Sequence, residues 1–132
     1  MESVGYLLDT HTFLWAVCES HKLSKTVKDI LSFTSNKCYI SAISAYEIMN
    51  KHRLGKLPNY NYIIENYLDI IHKFDVYELT INSHHSHFAG KFDWKNRDPF
   101  DRILAAQAFN ENLILLTNDI AFKSLPWLKT LW

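Results

Sequence analysis

Four acidic residues, Asp9, Glu47, Asp101 and Asp119, have the types and positions to do chemistry together. Asp9 closes the apolar run Val4-Gly5-Tyr6-Leu7-Leu8, and Asp119 follows Leu113-Ile114-Leu115-Leu116-Thr117-Asn118. Both runs have the shape of buried parallel strands. Sites in open parallel sheets lie beyond the carboxyl ends of their strands. Ser44-Ala45-Tyr46-Glu47 reads as a capping box that puts Glu47 on the first turn of a helix. Asp98 reads as the N-cap of another helix, with Pro99 at its first position and Asp101 at its third. Asp101 joins the other three acids only if that helix starts at the same sheet edge. Carboxylates gathered without a basic partner repel one another and raise each other's pKa, so a cation is what stabilises them. Helix N-termini under Glu47 and Asp101 would keep both ionised. Oxygen-only ligands, with no cysteine or histidine at matching spacing, point to Mg²⁺ or Mn²⁺ rather than zinc. Such an ion acts on phosphate esters by activating water and neutralising phosphoryl charge. The plainer alternative is that Asp98 and Asp101 only cap their helix and meet its dipole, that Glu47 is only a capping-box residue with Ser44, and that Asp9 and Asp119 are plain loop residues after strands.

The elements that must position these acids alternate along the chain. After the first strand, Thr10-His11-Thr12 opens a short helix through Phe13, Leu14, Trp15 and Val17. Ser24 caps a second helix with Val27, Ile30, Leu31 and Phe33 facing inward. Cys38 to Ile43 reads as a second strand that runs into the helix of Glu47, which ends near Leu54-Gly55. A longer amphipathic helix carries Tyr62, Ile63, Tyr67, Ile70, Ile71 and Phe74. Val76 to Thr80 is a third strand, and a short helix follows with His84, His85, His87 and Phe88. Lys91 to Arg97 is a polar loop before the helix of Asp101, whose wide apolar side includes Ile103, Leu104, Ala106, Gln107 and Phe109. Leu113 to Thr117 is a fourth strand, and Trp127 to Trp132 supplies a short last one. This alternation predicts a three-layer α/β/α fold with a central, mostly parallel sheet of four or five strands.

The chain has 132 residues, a single-domain length spanning 1–132, with 48% apolar and 21% charged residues. That composition fits a folded globular protein and excludes a disordered one. Three glycines and three prolines leave little room for flexible linkers. The longest apolar runs are too short to span a bilayer, and the N-terminus lacks a signal peptide's basic and long apolar regions. Cys18 and Cys38 share no metal-ligand or CxxC spacing, so the expected compartment is cytoplasmic. Lysine plus arginine equals aspartate plus glutamate at fourteen each. A nucleic-acid partner would therefore meet a local patch or a metal that masks phosphate charge, not a generally basic surface. Adjacent histidines point to different helix faces, so His84, His85 and His87 read as a solvated run. Lys51, His52, Arg53 and Lys56 read as an exposed helix face. A contact with substrate phosphate is the alternative for those four, as it is for Arg97 and Arg102 at the mouth of the acidic group.

Four segments in order resemble the PIN domain, and more narrowly the VapC-type toxins of bacterial toxin–antitoxin pairs. They are Leu7-Leu8-Asp9-Thr10-His11, Ile43-Ser44-Ala45-Tyr46-Glu47-Ile48, Arg97-Asp98-Pro99-Phe100-Asp101-Arg102 with its Ala-Ala-Gln-Ala tail, and Leu115-Leu116-Thr117-Asn118-Asp119. The resemblance implies a metal-dependent endoribonuclease, usually a homodimer, silenced by an antitoxin protein whose tail enters the acidic pocket. It further implies RNA hydrolysis that leaves a 5′-phosphate and a 3′-hydroxyl. Carried over by position, Asp9, Glu47, Asp101 and Asp119 form the catalytic quartet. Asp9, Asp101 and Asp119 are its metal ligands, and Glu47 acts directly or through water. Thr10, Thr117 and Asn118 orient carboxylates or waters, and Asp98 reads as a cap more than a ligand. Two other functions were weighed. A haloacid-dehalogenase-like phosphatase would want a second aspartate two residues after Asp9, where this chain has His11. A non-catalytic PIN-fold binding module would have no need of all four acids.

Overall fold

The computed structural model describes residues 4–132. Gly5–Leu8 forms β1, Lys37–Ser41 β2, Tyr77–Leu79 β3, Leu113–Leu116 β4 and Thr130–Leu131 β5. They make one sheet in the order β3-β2-β1-β4-β5, and every neighbouring pair is parallel. The expected sheet is therefore present in its five-stranded form. Because β1 and β4 pair from Gly5 with Leu113 through Leu8 with Leu116, their carboxyl ends finish level. Gly5 leaves room for the Leu113 side chain in this pairing: a Cβ there would lie 2.6 Å from Leu113 Cδ2, and the leucine would have to shift.

Strand side chains alternate between two cores. Leu8, Ile40 and Leu116 face the core packed by α1 (Thr10–Cys18), α2 (Lys25–Ser32), α3 (Ala42–Arg53) and α4 (Asn61–Lys73). Leu7 and Leu115 face the other core, built with α6 (Pro99–Asn110) and the segment Phe122–Leu128. α5 (Ser83–Lys91) packs along α6. The result is the expected three-layer α/β/α arrangement. Among the described residues, no helix is long and apolar enough to cross a membrane.

Local chemistry sets the helix boundaries. Ser24 caps α2 by accepting from Val27 N, as its sequence suggests. Phe33 and Tyr62 do not face inward; both are exposed. β2 ends at Ser41, not at Ile43, because the Ser41 hydroxyl accepts from Ile43 N and starts α3 three residues earlier than the capping-box reading. Ser44 is buried instead, with its Oγ 2.9 Å from Thr10 Oγ1. His85 also departs from expectation, since it is buried while its neighbours His84 and His87 are exposed. Its Nδ1 accepts from Asn82 N at 3.2 Å, its own N–H bonds Asn82 Oδ1, and its Nε2 lies 2.9 Å from Glu111 Oε2. That imidazole closes a capping box on α5 and ties the helix to the end of α6.

Arg102 departs furthest from its expected role. Its guanidinium donates to the carbonyls of Ala89, Phe92, Trp94 and Asn96, and lies 4.3 Å from the centre of the Phe92 ring. It staples the loop before α6, with its donors turned to backbone and not to a substrate phosphate. Phe92 and Trp94 pack on the second core from the same loop, so that segment is not simply polar. Arg102→Met should therefore lower stability by about 2–3 kcal/mol, because carbonyls held by a charged donor lose it. In urea unfolding the midpoint should fall with little change in slope.

Candidate active site

The level ends of β1 and β4 open on a cleft of about 270 Å³. Asp9, Glu47, Asp98, Asp101 and Asp119 all line it. α6 thus begins at the sheet edge where β1 and β4 end, which meets the condition set for Asp101. Lys51, His11 and Asn118 line the cleft as well, whereas Arg97 and Arg102 do not.

Three of the five acids are themselves N-caps. Asp9 caps α1, its Oδ1 accepting from Thr12 N at 2.7 Å. Asp98 caps α6 by accepting from Phe100 N at 2.9 Å, ahead of Pro99 at the first helical position. Asp119 caps the 3₁₀ turn Ile120–Ser124 by accepting from Ala121 N at 2.9 Å. Capping and gathering are thus the same geometry: helix starts that meet at one edge bring their caps with them. Asp101 lies on the first turn of α6, and its Oδ2 accepts from Asn96 Nδ2 at 2.9 Å.

Glu47 is placed differently. With α3 starting at Ala42, it stands in the second turn, beyond reach of the helix N-terminus. Its charge is met by Lys51 one turn further on, at 2.5 Å, and by Thr10 Oγ1 at 2.6 Å. The cleft therefore does contain a basic partner, contrary to expectation, and Lys51 is not simply on an exposed face. The signal was present in the sequence, since Glu47 and Lys51 stand at i and i+4 on one helix face.

Hydroxyls connect the acids. Thr117 Oγ1 donates to Asp9 Oδ2 and accepts from Asp119 N at 3.0 Å. Thr12 Oγ1 donates to Leu116 O at 2.8 Å, fixing the start of α1 against β4. Thr10 and Thr117 thus orient carboxylates, while Asn118 is exposed at the rim. Asn96, Thr12, Ser44 and Lys51 are the supporting residues that sequence reasoning passed over.

Confinement shows in the acidities. Burial pushes the Asp9 carboxyl above the ordinary carboxylate range, against the opposing bonds from Thr117 and Thr12. Asp101 is pushed up to about 6, first by burial and then by the charges of Asp98, Asp119 and Glu47, with the Asn96 bond opposing. Among the described residues, no three carboxylate, imidazole or thiolate groups stand close enough together, as the side chains lie, to hold a metal ion. The donor set nonetheless fits a hard divalent cation, since it is all carboxylate oxygen and carries excess negative charge.

A five-stranded, all-parallel α/β/α sheet with an acidic cleft at the ends of its central strands defines the class. The chain belongs to the PIN domain family, whose model matches residues 6–128. No curated protein matches it significantly in sequence. Its fold is shared with several solved structures. VapBC2 from Rickettsia felis, solved bound to a DNA fragment from its promoter, is 20% identical, with 96% of each chain covered and a TM-score of 0.66. VapBC-1 from nontypeable Haemophilus influenzae is 19% identical, with 96% of each chain covered and a TM-score of 0.66. FitAcB from Neisseria gonorrhoeae is 19% identical over 96% of each chain, with a TM-score of 0.65.

The acidity of Asp101 carries a stability consequence of definite sign. Its folded-state pKa of about 6 lies above the usual 3.8, so the folded chain holds that proton more tightly than the unfolded one. Stability from this group is then full below pH ~4 and lost as pH rises through about 6. Asp101→Asn should accordingly stabilise the metal-free protein at pH 7 by about 1–2 kcal/mol, after discounting for partial exposure. The gain should fade between pH 6 and pH 4 in urea unfolding with EDTA. A purely capping Asp101 would give a loss instead.

Proposed function

We propose that the chain is a divalent-metal-dependent endoribonuclease and the toxin partner of a toxin–antitoxin pair. The observation that carries this reading is the convergence of five carboxylates in one cleft at the ends of β1 and β4. Structural likeness to VapBC assemblies supports the toxin part of the reading, and PIN family membership supports the nuclease part. In this reading Asp9, Glu47, Asp101 and Asp119 are catalytic, and Asp9, Asp101 and Asp119 hold Mg²⁺ or Mn²⁺. When bound, that ion supplies a water of lowered pKa and neutralises charge on the phosphoryl oxygens.

The chain's own residues prepare the chemistry. Thr12 N and Thr117 Oγ1 hold Asp9 from two sides, leaving its carboxylate fixed in direction. Asn96 does the same for one oxygen of Asp101. Burial keeps these carboxylates poorly hydrated and so ready to exchange water for a cation. Arg97, exposed on the loop before α6, remains the candidate contact for a substrate phosphate outside the cleft. Hydrolysis would leave a 5′-phosphate and a 3′-hydroxyl. The proposal includes a single domain over 1–132, a homodimer, an antitoxin that silences the cleft, and a cytoplasmic setting where RNA is available. The phosphatase alternative loses its support with the PIN family match and His11 at its second-aspartate position. A binding module without catalysis has no observation in its favour.

Incubating antitoxin-free protein with mixed RNA should give cleavage with Mg²⁺ or Mn²⁺ and none with EDTA. Asp101→Asn should lower the rate on the order of 10²-fold or more while the protein stays folded. Metal-independent cutting, or equal rates for wild type and variant, would sink the proposal.

A further inference from the structure

Within the acidic cleft, Glu47 is held unlike the other four acids. Its Oε1 accepts from Thr10 Oγ1 at 2.6 Å, and that hydroxyl is in turn 2.9 Å from Ser44 Oγ. Its Oε2 carries Lys51 Nζ at 2.5 Å. The Glu47 side chain is 5% exposed and that of Lys51 29%, so the pair is far better shielded than an ordinary surface ion pair. Among the described residues, Lys51 is the one lysine or arginine that lines the cleft. Its Cα is one turn along α3 from Glu47, so its ammonium remains close even when the contact is broken.

A divalent ion seeking Glu47 would have either to displace this ammonium from Oε2 or to share the same carboxylate with it, and in both cases to sit beside a like charge. Asp9, Asp101 and Asp119 present no such obstacle, since their partners are neutral hydroxyl, amide or backbone groups. Resting on the metal-dependent reading of the cleft, we propose that Lys51 is a positioning residue whose built-in cation fixes Glu47 and stands in for a second divalent ion. The cleft then takes up one ion, served by Asp9, Asp101 and Asp119, while Glu47 stays paired with Lys51 and acts at a distance from the ion.

Counting Mn²⁺ bound per chain tests this, by calorimetric titration with electron paramagnetic resonance of the free ion. Wild type should bind one Mn²⁺. Lys51→Met should gain a second, at least about tenfold tighter than any second event in wild type, since a like charge has left the site. Adding Glu47→Gln to Lys51→Met should remove that second ion, and Lys51→Arg, which keeps the charge, should bind one. Two ions of similar affinity in wild type would overturn the proposal without recourse to any variant. So would a folded Lys51→Met protein that still binds one. Folded wild type that binds no Mn²⁺ would instead fail the metal-dependent reading itself, and this inference with it.

Discussion

Five carboxylates share one small cleft, and the surrounding structure is arranged to make that tolerable. Each acid has a donor of its own before any ion is considered. Asp9, Asp98 and Asp119 take backbone N–H groups at helix or 3₁₀ starts, Asp101 takes Asn96, and Glu47 takes Thr10 and Lys51. Those donors compensate only in part, and the pKa values of Asp9 and Asp101 stay raised. The remaining cost, burial first and like-charge repulsion at Asp101 after it, is a local loss of stability, offset by two apolar cores and by the parallel ladder of β1 with β2 and β4. The cleft carries an electrostatic tension that the fold can hold.

The same arrangement dissolves an opposition that looked sharp in the sequence. The sequence reads Asp98 as a cap and sets plain loop positions for Asp9 and Asp119 against a metal site, yet all three side chains cap and all three line the cleft. Helix starts and parallel-strand ends share one edge of an α/β sheet, so a residue performing one task is already placed for the other.

Much of this was readable in one dimension. The apolar runs ending at Asp9 and before Asn118, and the Asp-Pro start of α6, are local signals that packing reinforces. What stayed hidden depended on tertiary choice. Ser41 and Ser44 are both fair caps for α3; the Ser41 hydroxyl takes Ile43 N, and Ser44 is buried against Thr10. That choice shifts Glu47 off the first turn, so its charge is met by Thr10 and Lys51 and not by the helix start. His85 looked solvated because its flanking histidines are, but packing α5 on α6 buries it with Asn82 and Glu111. Arg102 offered a free cation on paper, and only the folded loop reveals four carbonyls waiting for it.

The triple use of aspartate as a cap has a consequence for how such a chain can drift. Asparagine and serine cap helices about as well as aspartate, so the backbone bonds made by Asp9, Asp98 and Asp119 do not require a negative charge. Asparagine at these three positions can keep those cap bonds while removing a charge from the cleft. A lineage can therefore shed the negative charges of this cleft one at a time without giving up the backbone bonds that start its helices.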